Sequence, residues 1–532
     1  MKYLSTVCIA LAIILGSMNA CQTHKKGSQT KSNLDNKQTQ KQDDQKIEFT
    51  ILQINDVYEI APLNNGKIGG IARVAALKNK LIKENPNTLA VIAGDFLNPS
   101  LFGSIKYQDK KVRGKQMIEA LNTAGIDLAT FGNHEFDIKE EELIERLNES
   151  TFDWVSSNVK HRTNGKIQAF TQTKNNQTKT IPETYTKTIK DKDGTQINVG
   201  FWSVTLPSNP QNFVWYGDCD SAAIAAHQTL KKQCDVVLAL THQELDSDLG
   251  LANKILDLTF LMGGHEHNNM LEKKGKLTVV KADANAKTAY IHRITYDKNK
   301  KTTNIRSELV TLDQTIPEDP ATAAVVQRWM QIAHQNLEQS GFNPSEIVAN
   351  VPTNAPWEGR EAIIRHQPAN LPKMIAQSMS AACPTANAAI LNSGSVRVDD
   401  QLSGNITQYD VLRTLPFGGS VWEVEMKGIL LEKILQIGKD NKGSGGFLQY
   451  HQINFEPTQK KWQINGKNID NNQSYKIAIS DFLMSGKEAG LPFLTETNSD
   501  IISIQKPKNE DKNDLKNDIR KTFIDFLKKN NK

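Results

Sequence analysis

Cysteine is scarce, with five in 532 residues. A dense disulfide framework is therefore excluded, and the fold must rest on buried apolar surface. Long hydrophobic runs are missing after the first twenty residues, so the body of the chain does not read as membrane-spanning. No stretch clusters arginine with aromatic residues, which removes the main sequence argument for a nucleic-acid partner. Internal repeats are lacking too. The net charge of +5 is spread over lysine-rich surface segments and suits small anions only weakly. At this length more than one domain is expected.

What is present begins with a targeting segment. Lys2 precedes an apolar core at residues 4–15, then Met18-Asn19-Ala20-Cys21. It resembles a bacterial lipoprotein signal with Cys21 as the lipidated residue; simple secretion with cleavage nearby is the alternative. Residues 22–46 are polar and should form a flexible tether. Cys8 would leave with the signal, so Cys219, Cys234 and Cys383 remain. Cys219 and Cys234 flank an expected helix spanning roughly 20 Å, at 1.5 Å per residue. A disulfide needs Cα atoms within about 7 Å. Free, buried thiols are expected for all three.

The chain centres on Ala129-Thr130-Phe131-Gly132-Asn133-His134-Glu135-Phe136-Asp137. A short apolar strand precedes it and helical periodicity follows, which puts Gly132 to Asp137 on a tight turn where a glycine eases the backbone. Asn133 offers an amide oxygen to a cation, His134 an imidazole, and Asp137 a carboxylate to orient that imidazole. A metal ligand beside an oriented histidine suits phosphoester hydrolysis. Four more apolar runs end in the same kind of chemistry, at Asp56, at Gly94-Asp95, at Thr241-His242 and at Gly264-His265-Glu266-His267. Sites of α/β sheets form beyond the carboxyl ends of strands. His265 and His267, one residue apart in an extended segment, would face the same side.

These motifs resemble the calcineurin-like metallophosphoesterases and, more narrowly, the bacterial 5'-nucleotidase/UDP-sugar hydrolase family, from about Phe49 to about Leu494. The resemblance implies an α/β, two-domain protein. Residues 47–316 would form a four-layer β-sandwich flanked by helices, residues 317–342 a connector helix, and residues 343–532 a smaller α/β nucleotide-binding domain. It implies two divalent ions of the Zn, Mn or Co type among Asp56, Asp95, Asn133, His242, His265 and His267, with His134 and Asp137 catalytic. The family pattern Asp-x-His is broken here, because Tyr58 follows Asp56-Val57. Three outcomes stand open: Tyr58 ligates, it hydrogen-bonds behind the ligands, or one metal position is weakened.

In the second domain, Asn392-Ser393-Gly394-Ser395-Val396-Arg397 is similar to the family's Asn-x-Gly-x-x-Arg segment, and Arg365 matches a second family arginine. Paired guanidinium groups suit phosphate. Phe417 and Phe482 stand where the family sandwiches the base, and Glu488 where it usually has an aspartate on the ribose. A hinge rotation is also implied, placed at the connector helix. Hydrolysis of nucleoside 5'-phosphates, with UDP-sugars as further substrates, is the leading expectation. A 2',3'-cyclic nucleotide phosphodiesterase/3'-nucleotidase and a catalytically impaired nucleotide-binding surface lipoprotein are the alternatives. The nucleotide is the expected partner, with the membrane reached only through the lipid and no protein partner evident. The expected place is the cell envelope, facing the periplasm or the outside.

Elsewhere the polar stretch 161–180 reads as loops, residues 154–159 as a strand, residues 248–256 as a helix, and His292 as structural.

Overall fold

The first strand, Lys46–Ile54, is buried on both faces after Glu48, as a strand in the middle of a layered sandwich must be. It pairs parallel to Thr88–Ala93 and antiparallel to Thr288–Asp297. The computed structural model describes residues 44–208, 211–508, 511 and 514–530. Cys21, the signal segment and the tether up to residue 43 lie outside the described residues. Lys46, assigned above to the tether, is the first residue of this strand.

Two six-stranded sheets form the first domain. One runs Thr302–Thr311, Thr288–Asp297, Lys46–Ile54, Thr88–Ala93, Leu128–Thr130, Asp153–Trp154. The other runs Thr184–Lys190, Gln196–Trp202, Val236–His242, Phe260–Gly264, Leu277–Lys281, Met270–Lys274. Phe49, Ile51 and Val91 of the first sheet share one core with Phe201, Leu238 and Met262 of the second. The helices Ile71–Glu84 and Lys115–Ala124 cover the outer face of the first sheet, and Cys219–Lys231 covers that of the second. The result is the expected four-layer sandwich. Its parallel strands all end on one rim, and that rim carries Asp56, Asp95, Asn133, His242 and the Gly264–His267 turn.

The helix Pro320–Gln339 follows, opened by Asp319 accepting from the Thr322 N–H. It packs on Ile71–Glu84 and Lys115–Ala124, with Trp329 fully buried and its Nε1 donating to Glu119 at 3.0 Å. So docked, the helix is held against the first domain. The second domain is built on a five-stranded sheet, ordered Leu448–His451, Ala388–Asn392, Ser474–Ser480, Val421–Lys427, Ile501–Gln505. The helices Asn370–Ala382, Gly428–Asp440 and Ile519–Asn530 pack around it. No helix among the described residues is long and apolar enough to cross a membrane.

Several local expectations are corrected. Residues 161–180 are strands: Val159–Thr163, Lys166–Gln168, Thr171–Lys174 and Gln177–Thr180. They lack an apolar alternation because most of their side chains are exposed, and positive φ at Asn164, Asn175 and Asn176 makes the turns. The strand expected at 154–159 is only Asp153–Trp154. The helix expected at 248–256 starts earlier and is shorter, Leu245–Gly250 with a 3-10 turn Leu251–Asn253. The three described cysteines are free, but only Cys383 is buried; Cys219 and Cys234 are half-buried.

His292 is fully buried in the first sheet, its Nε2 donating to Gln53 Oε1 at 2.9 Å and its Nδ1 facing Ser307 Oγ at 2.9 Å. Burial lowers its pKa to about 3. The unfolded chain takes up this proton below about pH 6.5 and the folded chain does not, so stability falls as pH drops from there toward 3. His292→Gln should flatten the decline by up to about 1.4 kcal/mol per pH unit. Urea midpoints between pH 5 and 8 measure it; an unchanged slope would assign the loss elsewhere.

Candidate active site

Asp56 and Asp95 stand on the tight turns after the first two parallel strands, both buried and both with left-handed backbone, φ 53° and 55°. Asp56 Oδ2 accepts from Asn55 Nδ2 at 2.7 Å and from the His265 N–H at 3.0 Å. Asp95 Oδ1 accepts the His134 N–H at 2.8 Å. His242 reaches between them, with Nε2 at 3.2 Å from Asp95 Oδ2, 3.2 Å from Asn133 Oδ1 and 3.9 Å from Asp56 Oδ1. Its Nδ1 lies 2.8 Å from the Ala93 carbonyl, which fixes Nε2 as the inward atom.

Asp56, Asp95 and His242 each offer a ligand atom within 4.8 Å of the others. Asp56 Oδ1 is buried with no hydrogen-bond partner among the described residues. An orphaned carboxylate oxygen beside a second carboxylate and an imidazole fits a divalent cation. The electrostatics agree. Burial disfavours a charged His242, yet Asp95 and Asp56 outweigh it and push its pKa up to about 9. Burial likewise opposes a charged Asp95, and His242 and His134 overcome it, holding that carboxyl well below its ordinary range.

The other candidates fall around this centre. His267 Nε2 lies 3.6 Å from Asp56 Oδ1. His265 and His267 do not share one face of an extended segment, because the chain bends there and His265 has φ 86°. His265 instead packs edge-on to His242 and pairs with Glu244 at 3.0 Å. The Tyr58 hydroxyl is hydrogen-bonded to two of the candidate ligands, 3.2 Å from Asp95 Oδ2 and 3.1 Å from His267 Nε2. His134 Nδ1 is 2.5 Å from Asp137 Oδ2, and its Nε2 is 3.5 Å from Arg397 Nη2 of the second domain.

Arg397 and Arg365 converge on one carboxylate. Glu361 Oε1 lies 3.0 Å from Arg397 Nη1 and 2.5 Å from Arg365 Nη2. Asn392 Nδ2 donates to Glu488 Oε2 at 2.9 Å. Phe417 and Phe482 are 64% and 42% exposed, so neither is a core residue. Their two loops are tied together by Asp481, whose Oδ2 accepts from the Ser420 N–H and Oγ and whose N–H donates to the Ser420 carbonyl at 3.0 Å.

Residues 49–269 match the family model of calcineurin-like phosphoesterases, and residues 348–496 match that of the 5'-nucleotidase C-terminal domain. The chain belongs to the 5'-nucleotidase family. Membership makes it a metallophosphohydrolase that works with divalent metal ions. It is 23% identical to the 5'-nucleotidase of Bos taurus over 82% of this chain and 83% of that one. Against the 5'-nucleotidase of Vibrio cholerae it is 23% identical over 85% and 87%. The fold is that of the 5'-nucleotidase precursor from Thermus thermophilus, with TM-score 0.70 and 20% identity, over 91% of this chain and 97% of that one.

Two supports of the family site were not found by reading the sequence. Glu135 is fully buried and accepts four backbone N–H groups, from Asp95 at 2.8 Å, Phe96 at 2.7 Å, Leu97 at 3.1 Å and Gly132 at 2.5 Å. It clamps the Asp95 turn to the Gly132 turn. Gly132 is needed for this close approach: a Cβ there would lie 2.1 Å from Asp95 Oδ1. Behind the histidines, fully buried Lys281 meets Asp248 Oδ2 at 2.8 Å, the Gln243 carbonyl at 2.6 Å and Glu266. It holds the His242 and His265–His267 turns together. Glu135 lies inside the central stretch, between His134 and Phe136, and Lys281 follows Val279-Val280, but neither stands at a spacing that announces such a role.

Glu135→Gln should turn an amide nitrogen toward two backbone donors. At about 1–3 kcal/mol per buried group left unsatisfied, the expected loss is on the order of 2–4 kcal/mol. Urea unfolding measures it, and a loss below about 1 kcal/mol would show that water or neighbours replace the clamp.

Proposed function

We propose that this protein hydrolyses nucleoside 5'-phosphates to nucleoside and phosphate, with UDP-sugars as further substrates. The observation that carries this reading is the meeting of two unlike sites: the orphaned Asp56 Oδ1 with Asp95 and His242 on one side, and Arg397 at 3.5 Å from His134 on the other. Asp56, Asp95, Asn133, His242, His265 and His267 are assigned to the ions, which when bound supply positive charge against the phosphoryl oxygens and activate water. His134, oriented by Asp137, holds a proton at Nε2 and delivers it to the departing nucleoside oxygen. Arg365 and Arg397 grip the phosphate in place of Glu361. Phe417 and Phe482 take the base between exposed rings. Asn392 and Glu488 take the sugar.

The same proposal divides the chain into residues 47–316, 317–342 and 343–532, and includes anchoring in the cell envelope by lipid on Cys21, for which the signal-like residues 2–21 of the sequence are the support. The Tyr58 hydroxyl between Asp95 and His267 favours keeping a second reading, a nucleotide binder with impaired catalysis.

A hydrolysis panel of AMP, UDP-glucose and 2',3'-cyclic AMP with added Mn²⁺, Co²⁺ or Zn²⁺ separates the readings. Phosphate release from AMP is expected, and His134→Ala should lower kcat about 10²–10⁴-fold with little change in KM. Cyclic nucleotide cleaved while AMP is not would overturn the assignment in favour of a phosphodiesterase. Nucleotide bound without turnover by any of the three ions would establish the binder, and Tyr58→His should then restore release of phosphate.

A further inference from the structure

Asp399 belongs to the second domain, but half of its carboxylate serves the first. Its Oδ1 accepts the Glu361 N–H at 2.7 Å, which fixes the side chain from its own domain. Its Oδ2 lies 2.6 Å from Nδ1 of His267. The residue is buried at the seam. The Glu361 carboxylate, the next acidic group near that nitrogen, is 4.0 Å away. With Nδ1 held by Asp399, Nε2 of His267 points the other way, toward Asp56 Oδ1 at 3.6 Å and the Tyr58 hydroxyl at 3.1 Å.

A carboxylate on the far nitrogen of a ligating imidazole sets its tautomer, its orientation and its basicity. For His242 the corresponding partner is the Ala93 carbonyl, inside the first domain. For His267 it comes from a residue 132 positions away, across the seam.

We propose that Asp399 is a positioning residue for His267, so that one of the two metal positions is finished only when the second domain is seated. The proposal rests on the metallohydrolase reading for the ions; the role of Asp399 and its consequence go beyond it. Linkage makes the effect reciprocal. Whatever factor seating contributes to ion affinity, the ion returns to seating. A nucleotide that bridges the two domains therefore tightens the ion, even though it need not touch His267. The His242 side, with its partner in its own domain, is exempt and serves as the internal control.

The test is calorimetric titration of the full chain with Mn²⁺ alone, for the wild type, Asp399→Asn and Asp399→Glu. In Asp399→Asn one binding step should weaken about 10–100-fold while the other stays within about twofold, and Asp399→Glu should recover much of the loss. A non-hydrolysable nucleoside 5'-phosphonate should tighten the same step in the wild type and not in Asp399→Asn. Two steps unchanged in Asp399→Asn, or both weakened equally, would overturn the proposal. A wild-type chain that takes up no ion would overturn the hydrolase reading and this proposal with it. Ions bound equally by wild type and Asp399→Asn would overturn this proposal alone.

Discussion

Two buried carboxylates, Asp56 and Asp95, are kept close to one another, and most of the surrounding structure works to permit it. Like charges in a low-dielectric interior repel strongly, so neither would stay ionised without compensation. The compensation is specific. Asp56 takes N–H groups from Asn55 and His265, and Asp95 takes the His134 N–H, with His242 set between the two. Behind this layer a second one holds the turns themselves. Glu135 joins the Asp95 and Gly132 turns through four amides, and Lys281 joins the two histidine turns through Asp248 and Glu266. Each support is itself a buried polar group held by several hydrogen bonds, the condition under which such groups fix geometry rather than disrupt it.

The seam between the domains continues the same scheme. Arg397 approaches His134, Asp399 holds His267, and the Tyr409 hydroxyl lies 3.5 Å from Glu59. The Arg365–Arg397 pair of one domain is thereby set beside the His134–Asp137 pair of the other. The apolar core is continuous across the seam as well, from Trp329 and Leu337 of the connector helix through Phe342 and Val348 to Ile375 and Phe523. The arrangement described is thus a packed one, in which the second domain completes what the first begins.

Much of this was legible in the chain because strand ends announce themselves. A short, mainly apolar run closed by Asp, His or Asn marked each of the turns that the structure gathers on the rim of the sandwich. The resemblance then supplied the second domain, where no run of residues points to a base or a phosphate on its own. What stayed hidden was of three kinds. The polar strands between Val159 and Thr180 have no apolar face to betray them. Glu135 and Lys281 act through backbone atoms and partners far away in sequence. The bend at His265 arises from a left-handed residue that is not glycine, and residue type alone does not signal it. Gly132 was rightly singled out for the wrong reason, since proximity to Asp95 and not a special dihedral excludes a side chain there.

The left-handed backbone at Asp56, Asp95 and His265 has a consequence for how such a protein drifts over time. Conformations of this kind cost on the order of 1 kcal/mol each in residues with a Cβ. Glycine at any of the three would relieve that tension while erasing a group that the proposed chemistry uses. Thermodynamic robustness and chemical competence therefore pull in opposite directions at the same codons. A lineage released from selection for turnover would slide toward sturdier, inert descendants, and its first lost side chains would be found on this rim.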